Sequence, residues 1–148
     1  MGFFSKMFGK KANEAKIEMT KIENRDLMEA IVGGCLLVAY ADGECEDAEL
    51  EKMDKIISSL PELKDFGSEI SETIGRFRSQ LEAGFRIGRQ TILNEINDIK
   101  GDENDRIRVF NVMLTVAEAD GEVEPEELKV LKEVGQRLGI NLREYGIE

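Results

Sequence analysis

The 148-residue chain contains no histidine and no tryptophan, and it has only two cysteines and two prolines. Without histidine the protein lacks the usual proton shuttle near neutral pH, the imidazole ligand of metals and every nucleophile that depends on a Ser–His or Cys–His pair. Cys35 and Cys45 are too few for a disulfide framework in a chain of this length. These absences argue against hydrolases and zinc enzymes, and we predict that the protein is not an enzyme.

Long hydrophobic runs are also missing. The longest uncharged stretch, residues 30–41, is far shorter than the roughly 20 apolar residues that span a bilayer, and the N-terminus lacks the pattern of a secretory signal. The chain has 31 acidic and 20 basic residues, for a formal net charge of −11. Such a charge is poorly suited to nucleic acid, whose phosphates need clustered lysine and arginine. We expect a cytoplasmic protein that attracts cations and basic partners.

Apolar residues recur at helical spacing along nearly the whole chain, and alternating strand patterns are absent. Glycine, proline and aspartate divide this pattern into separate helices. We predict an all-α fold, a single bundle of about seven or eight helices. The predicted helices cover residues 12–22, 25–41, 47–59, 68–84, 88–99, 104–119 and 126–138, with a last turn near 142–145.

The sequence also contains an internal repeat. Residues 36–60 align with residues 114–138 at an offset of 78 without gaps, and both copies contain Ala-Asp-Gly-Glu. A strongly apolar helix precedes this tetrapeptide in each copy, and a helix that is apolar all round belongs in the interior. The apolar residues are Leu27, Met28, Ala30, Ile31, Val32, Leu36, Leu37 and Val38 in the first helix, and Ile107, Val109, Phe110, Val112, Met113, Leu114 and Val116 in the second. We expect these helices at the centre of a domain spanning residues 12–148, with pseudo-two-fold halves at about 12–84 and 88–148.

Two features inside the first apolar helix predict packing rather than chemistry. Gly33-Gly34 lowers the helix propensity, so it indicates a close crossing with another helix. Cys35 lies within the apolar run and is expected to be a small buried hydrophobe rather than a redox residue.

Each apolar helix leads into a turn crowded with carboxylates. Acids in the first turn of a helix complement its dipole, which accounts for the acids that follow each turn without any ligand: Asp47, Glu49, Glu126 and Glu127. Acids just past the end of the preceding helix meet an unfavourable dipole; these are Asp42, Glu44, Asp120 and Glu122. Repulsion that recurs in both copies indicates that a bound cation relieves it. The alternative is that all these acids serve as caps and solvated surface.

Carboxylate and carbonyl oxygens are the only plentiful ligands, so such a metal would be hard: Ca²⁺, Mg²⁺ or Mn²⁺. Residues 120–127 mimic the second half of an EF-hand loop, but Val116 stands where a complete loop needs an acid. A self-contained EF-hand is therefore rejected. We expect a shallow site completed by water or by carboxylates from another helix.

The paired hairpins, VAYADGECEDAEL and VAEADGEVEPEEL, resemble those of the TerB family of bacterial tellurite-resistance proteins. Further similarity lies in MGFFSKMFGK, PELKDF, FRIGRQTILNEINDIK and LGINLREYG, so the resemblance covers essentially the whole chain. It implies an all-helical, pseudo-symmetric fold without established enzymatic activity, in a cytoplasmic protein that acts in metal and oxidative stress with a TerC-type membrane partner. The metal-site residues that it implies are Asp42, Glu44, Glu46, Glu49, Asp120, Glu122, Glu124 and Glu127.

Two other stretches bear on partners. In the amphipathic tail, residues 1–11, four large apolar side chains fall at helical spacing beside three lysines: Phe3, Phe4, Met7 and Phe8. Residues 3–11 therefore predict peripheral contact with the inner face of a membrane or with a partner, or alternatively a tail packed over the bundle. Arginines in the middle of the chain form either a basic docking patch or solvated helix faces: Arg76, Arg78, Arg86 and Arg89.

These observations predict a non-enzymatic accessory protein of tellurite resistance or metal stress. It would bind divalent metal through two acidic hairpin loops and dock to partner proteins. The alternative is a metal-independent acidic helical module whose carboxylates keep it soluble and recruit basic partners.

Overall fold

The computed structural model describes residues 2–119 and 121–148, with side chains from residue 9 onward in those ranges. The described residues contain six α-helices, two short 3₁₀ turns and no strand. The helices are α1 (Gly2–Ala39), α2 (Asp47–Ser58), α3 (Ser68–Ala83), α4 (Phe85–Asn97), α5 (Glu103–Glu118) and α6 (Pro125–Arg137), and the 3₁₀ turns are Pro61–Leu63 and Leu142–Tyr145. The all-α class is confirmed, but the described ranges contain six α-helices rather than seven or eight.

The difference in number arises mainly in α1, which is one continuous helix where the sequence pattern predicts two. Residues 9–26 are exposed or half-buried, whereas nearly every residue from 27 to 38 is buried. The apolar pattern therefore changes near residue 26 because the helix enters the protein body there, while its backbone continues unbroken. We call residues 2–26 the arm and residues 27–148 the body.

The buried half of α1 and the helix α5 form the centre of the body, and they pack against each other more extensively than any other described pair of elements. The apolar residues predicted for the central helices are buried, or half-buried at Leu114 and Val116, with one exception. Ile107 was expected in the interior, but it is 37% exposed. Ile107 shares a helix face with Asn111, which is half-buried, and with Glu118, which is exposed, because residues four or eleven apart return to similar positions around a helix. The pseudo-two-fold relation of the halves stays a prediction.

Glycines allow the central helices to approach their neighbours closely. A Cβ atom at Gly33 would lie 2.7 Å from Cγ2 of Ile92 in α4, and one at Gly34 would lie 2.7 Å from Sδ of Met113 in α5. Both distances are shorter than a van der Waals contact, so the predicted close crossing is confirmed. Cys35 is fully buried in the hydrophobic core, and burial raises the pKa of its thiol. It is a packing residue, as expected.

The connection between α3 and α4 is shorter than the sequence suggested. Gly84 alone separates the two helices, and α4 begins at Phe85 rather than at residue 88. A Cβ atom at Gly88 would lie 2.8 Å from the backbone N and Cα of Leu81. Gly88 therefore lets α4 approach the backbone of α3 at the start of the connection.

Candidate functional site

The first acidic turn follows α1 and is closed by its own backbone. The Gly43 N–H donates to the Tyr40 carbonyl at 2.9 Å, and Gly43 has a φ of +95°, which favours glycine. The Asp42 Oδ1 atom accepts a hydrogen bond from the Glu44 N–H at 3.0 Å, an interaction typical of aspartate in turns. Asp42 therefore has a structural use in the turn that the dipole argument did not include.

The second acidic turn, between α5 and α6, repeats this backbone arrangement. The Gly121 N–H donates to the Glu118 carbonyl at 3.0 Å, and its φ is +109°. Pro125 occupies the first turn of α6 as predicted, and Oε1 of Glu127 accepts from the Glu124 N–H at 2.9 Å. Glu127 is thus a helix cap as well as a candidate ligand. Asp120 lies outside the described residues.

A cleft of about 480 Å³ separates the two hairpins and receives side chains from both. Its apolar lining comes from the ends of α1 and α5 and from α2: Val38, Ala39, Met53, Ile56, Val116 and Ala119. Its charged lining consists of six carboxylates and one ammonium group: Asp42, Glu49, Glu122, Glu124, Glu126, Glu127 and Lys52. The fold therefore concentrates negative charge from two segments that are 78 residues apart in the sequence.

Five of the eight predicted metal-site residues line this cleft: Asp42, Glu49, Glu122, Glu124 and Glu127. Glu44 and Glu46 are exposed and lie outside the lining. Glu126, which the sequence assigned only to the start of α6, contributes to the lining, as does Lys52. Lys52 follows Glu49 by three residues on α2, so helical spacing could have placed both side chains on one face.

The acidic side chains surround the cleft without forming a preassembled cage. Among the described residues, no three acidic or cysteine side chains are grouped closely enough to hold a metal ion. The lining has an excess of negative charge, since Lys52 is its one basic side chain among those described. Chemically, the arrangement can attract cations and supply hard oxygen ligands.

A family model described as "Tellurite resistance protein TerB" matches residues 28–147. The chain belongs to the TerB family. The TerB match begins next to the first buried residue of α1, Leu27, so it covers the body and leaves out the arm. Comparisons with curated proteins and with solved structures found no match. Within the described residues, no helix combines the length and apolar composition needed to cross a membrane.

A hydrogen-bonded network ties the first hairpin of the TerB domain to α3. Arg78 donates from Nε to the Tyr40 hydroxyl and to Oε1 of Glu82, both at 3.0 Å, and the Tyr40 hydroxyl donates to the same Glu82 oxygen at 3.0 Å. The Arg78 guanidinium also lies 3.7 Å from Oδ1 of Asp47 at the start of α2. Burial raises the pKa of Tyr40 above its ordinary value.

Cys45 lies in the first turn of the TerB domain and is half-buried. Its Sγ atom is 3.8 Å from the Glu46 carbonyl. Burial, followed by the Glu49 carboxylate, raises the pKa of the thiol to about 11. Cys45 is therefore protonated at neutral pH and is a weak nucleophile.

The arginines in the middle of the chain are largely compensated by carboxylates. Arg76 lies 3.6 Å from Glu29, and Arg89 pairs with Glu133. Together with the Arg78 network, these ion pairs favour solvated helix faces over an uncompensated basic docking patch.

Proposed function

We propose that this TerB protein binds a divalent cation in the cleft between its two acidic hairpins, and that it acts in tellurite resistance or metal stress without catalysing a reaction. Family membership supports the link to tellurite resistance. The observation that carries metal binding is the cleft itself, because both hairpins contribute carboxylates to one space. The proposed ligands come from Asp42, Glu49, Glu122, Glu124 and Glu127. Glu44, Glu46 and Asp120 are further candidates from the same turns.

The open form of the cleft favours a hard ion that keeps part of its water shell. Mg²⁺ usually retains several waters, whereas Ca²⁺ accepts more protein oxygens in flexible geometry, and Mn²⁺ also prefers oxygen ligands. A cation between the hairpins would reduce the repulsion among their carboxylates. At about 100 times its dissociation constant, one bound ion stabilises the folded state by roughly 2.7 kcal/mol.

Calorimetric titration with Ca²⁺, Mg²⁺ and Mn²⁺, combined with thermal melts, tests this proposal. The variant Asp42→Asn/Asp120→Asn should lose most of the metal-induced rise in melting temperature. Asparagine keeps an oxygen that can accept the Glu44 N–H bond, so the turn should be preserved. The control Glu51→Gln/Glu72→Gln removes the same charge from exposed positions outside the cleft lining and should respond like the wild type. A wild type without any response at millimolar metal would contradict the proposal.

A second candidate is a metal-independent module that docks basic partners, and the apolar lining of the cleft favours it. Ile56 and Val116 are half-buried apolar side chains that line the cleft together with the carboxylates, a combination suited to a basic amphipathic segment. A TerC-type membrane protein, reached from the cytoplasm, is the partner that the family resemblance suggests. Binding of a basic amphipathic peptide to the metal-free protein, with no competition from Ca²⁺, Mg²⁺ or Mn²⁺, would favour this candidate over metal binding.

A further inference from the structure

The outer part of the arm extends beyond the body of the protein, whereas its inner part, from Lys21 onward, contacts α3 and the adjacent turn. At 1.5 Å per residue, the 19 residues of α1 from Gly2 to Thr20 correspond to a length of about 28 Å. An isolated helix draws little stability from propensity alone, and most helices in proteins depend on packing of an apolar face. The side chains described from residue 9 to residue 16 are all exposed. The described residues 9–11 of the tail are therefore exposed rather than packed over the bundle.

One face of the arm carries an exposed apolar stripe. Ala12, Ala15, Met19 and Ile22 follow one another at intervals of three, four and three residues, the spacing of a coiled-coil seam. Met19 is 62% exposed and Ile22 is 73% exposed. The same spacing continues at position 8, where the sequence has phenylalanine. The stripe is therefore a helix face that lacks a packing partner among the described residues.

The arrangement of small and large residues along the stripe suits antiparallel pairing with a second copy. In such a pair, centred between Ala12 and Ala15, these two small residues face each other at the crossing point. In each copy the larger residues Met19 and Ile22 lie to one side of this crossing point, and the two-fold symmetry places one such pair toward each end of the contact. Small residues allow the helices to approach in its middle.

Charge along the arm supports the same orientation. Residues 1–16 contain four lysines and one glutamate, whereas the acids Glu18, Glu23 and Asp26 follow in residues 17–26. The two basic side chains in that second part, Lys21 and Arg25, pair with Glu69 of α3 at 2.6 and 3.1 Å. The outer part of the arm is therefore basic, and the part next to the body, together with Glu69, carries an excess of negative charge. Antiparallel pairing brings the basic part of each copy against the acidic part of the other.

We propose that the protein forms a two-fold symmetric dimer in which two copies pair their arms as an antiparallel coiled coil centred on Ala12 and Ala15. Lys11 and Glu18 each precede a stripe residue by one position and flank the seam. In the proposed register Lys11 of one copy lies beside Glu18 of the other, and symmetry repeats this ion pair. A two-fold contact of this type is closed, so it gives dimers rather than filaments.

An anionic membrane fits the arm less well than a second copy does. Glu18 and Glu23 flank the exposed part of the stripe at Met19 and Ile22 on its two sides, since they lie at different angles around the helix. A lipid surface of negative charge would repel these carboxylates. It would therefore leave the inner part of the stripe uncovered, whereas a second copy covers its whole length.

Sedimentation equilibrium of the full chain, over a wide concentration range and at low and high salt, tests the proposal. We expect a monomer–dimer equilibrium that salt weakens. Lys11→Glu and Glu18→Lys should each raise the dimer dissociation constant about tenfold, because each creates two like-charge contacts. The combined variant Lys11→Glu/Glu18→Lys should restore dimerisation, because it exchanges the two charges. Lys10→Glu is the matched control, since it makes the same charge change on the opposite face of the arm.

Two results would overturn the proposal. One is a monomer at every concentration, which would mean that the arm does not pair with a second copy. Binding to phosphatidylglycerol vesicles would then identify a membrane contact. The other is a dimer whose dissociation constant is equal in the wild type, both single variants and the charge exchange. Melting temperatures and helical content of all variants show whether the body remains folded.

Discussion

The two acidic hairpins have similar backbone conformations in their turns, but different charged groups surround them. Position 40 is a tyrosine bound to Arg78 of α3, whereas the equivalent position at the offset of 78 is Glu118, which adds a carboxylate. Asp47 at the start of α2 also lies near Arg78, and its equivalent is Pro125. The charged groups near the two turns therefore differ, although the turn sequences are similar. The first hairpin has a counter-charge built into the fold, and we expect the second to depend more on a cation.

The largest expected effect separates the contributions of the two hairpins to metal binding. The metal-induced stabilisation of the wild type is roughly 2.7 kcal/mol at 100 times the dissociation constant. The variant Glu122→Gln/Glu124→Gln should lose more of it than the variant Asp42→Asn/Glu49→Gln. The reason is that Arg78 already offsets part of the negative charge of the first hairpin. Thermal melts with and without saturating metal provide the comparison. Equal losses would contradict the electrostatic difference.

The two central helices, α1 and α5, also differ, because only α1 contributes to a pair of neighbouring carboxylates. Glu29 of α1 shares a hydrogen bond with Glu95 of α4, whereas its equivalent in α5 is Ile107. Burial, the bond to Glu29 and the nearby charges of Glu29 and Asp98 raise the pKa of Glu95 to about 7, although Arg76 acts in the opposite direction. The folded state therefore holds a proton that the unfolded chain releases at much lower pH.

Stability should consequently rise as the pH falls through about 7, and this contribution should be lost above that pH. After allowance for solvent screening, we expect about 1–2 kcal/mol between pH 8 and pH 5. Glu95→Gln should reduce this gain, because glutamine keeps the hydrogen bond without a titrating group. Urea unfolding at several pH values measures it. Identical pH profiles for the variant and the wild type would exclude Glu95 as the cause.

Removal of the counter-charge itself should have a smaller effect. Arg78→Met should destabilise the metal-free protein by about 1 kcal/mol, since its contacts with Tyr40 and Glu82 are only partly shielded from water. It should also strengthen metal binding, because the first hairpin becomes more negative. Arg86→Met, a change of equal charge at an exposed position of α4, is the control for both measurements. Weaker metal binding by Arg78→Met would argue against the proposed role of this arginine.

Local signals in the sequence were sufficient for most helix boundaries. Gly43, Gly121 and Pro125 end or begin helices through their own backbone preferences, so each could be placed from the sequence. The apparent break near residue 23 was wrong because a helix that leaves the body loses its apolar pattern without any change in its backbone.

The composition of the site was harder to predict, because it depends on whether each side chain points toward the cleft, and local sequence signals do not specify this. Glu44 and Glu46 have the same chemistry as Glu122 and Glu124, yet only the second pair lines the cleft. The pairing of Arg78 with Tyr40 joins residues 38 positions apart, and neither residue marks the other in the sequence. The concentration of acidic residues could therefore be predicted from the sequence, whereas the basic side chains near them could be identified only from the fold.

The smallest expected effect comes from making the first turn more like the second. Cys45→Val introduces the residue found at the equivalent position, Val123. We expect a change in the free energy of unfolding within about 0.5 kcal/mol, because the side chain is only half-buried and its Sγ atom lies 3.8 Å from the Glu46 carbonyl, as in a weak thiol hydrogen bond. The metal response should also stay unchanged, since a thiol with a pKa of about 11 is protonated and is a poor ligand at neutral pH. In the wild type, alkylation by iodoacetamide should be slow at pH 7 and accelerate as the pH approaches 11. A marked loss of metal binding in Cys45→Val would instead assign the thiol to the metal site, and the two hairpins would then differ in ligand chemistry as well as in charge.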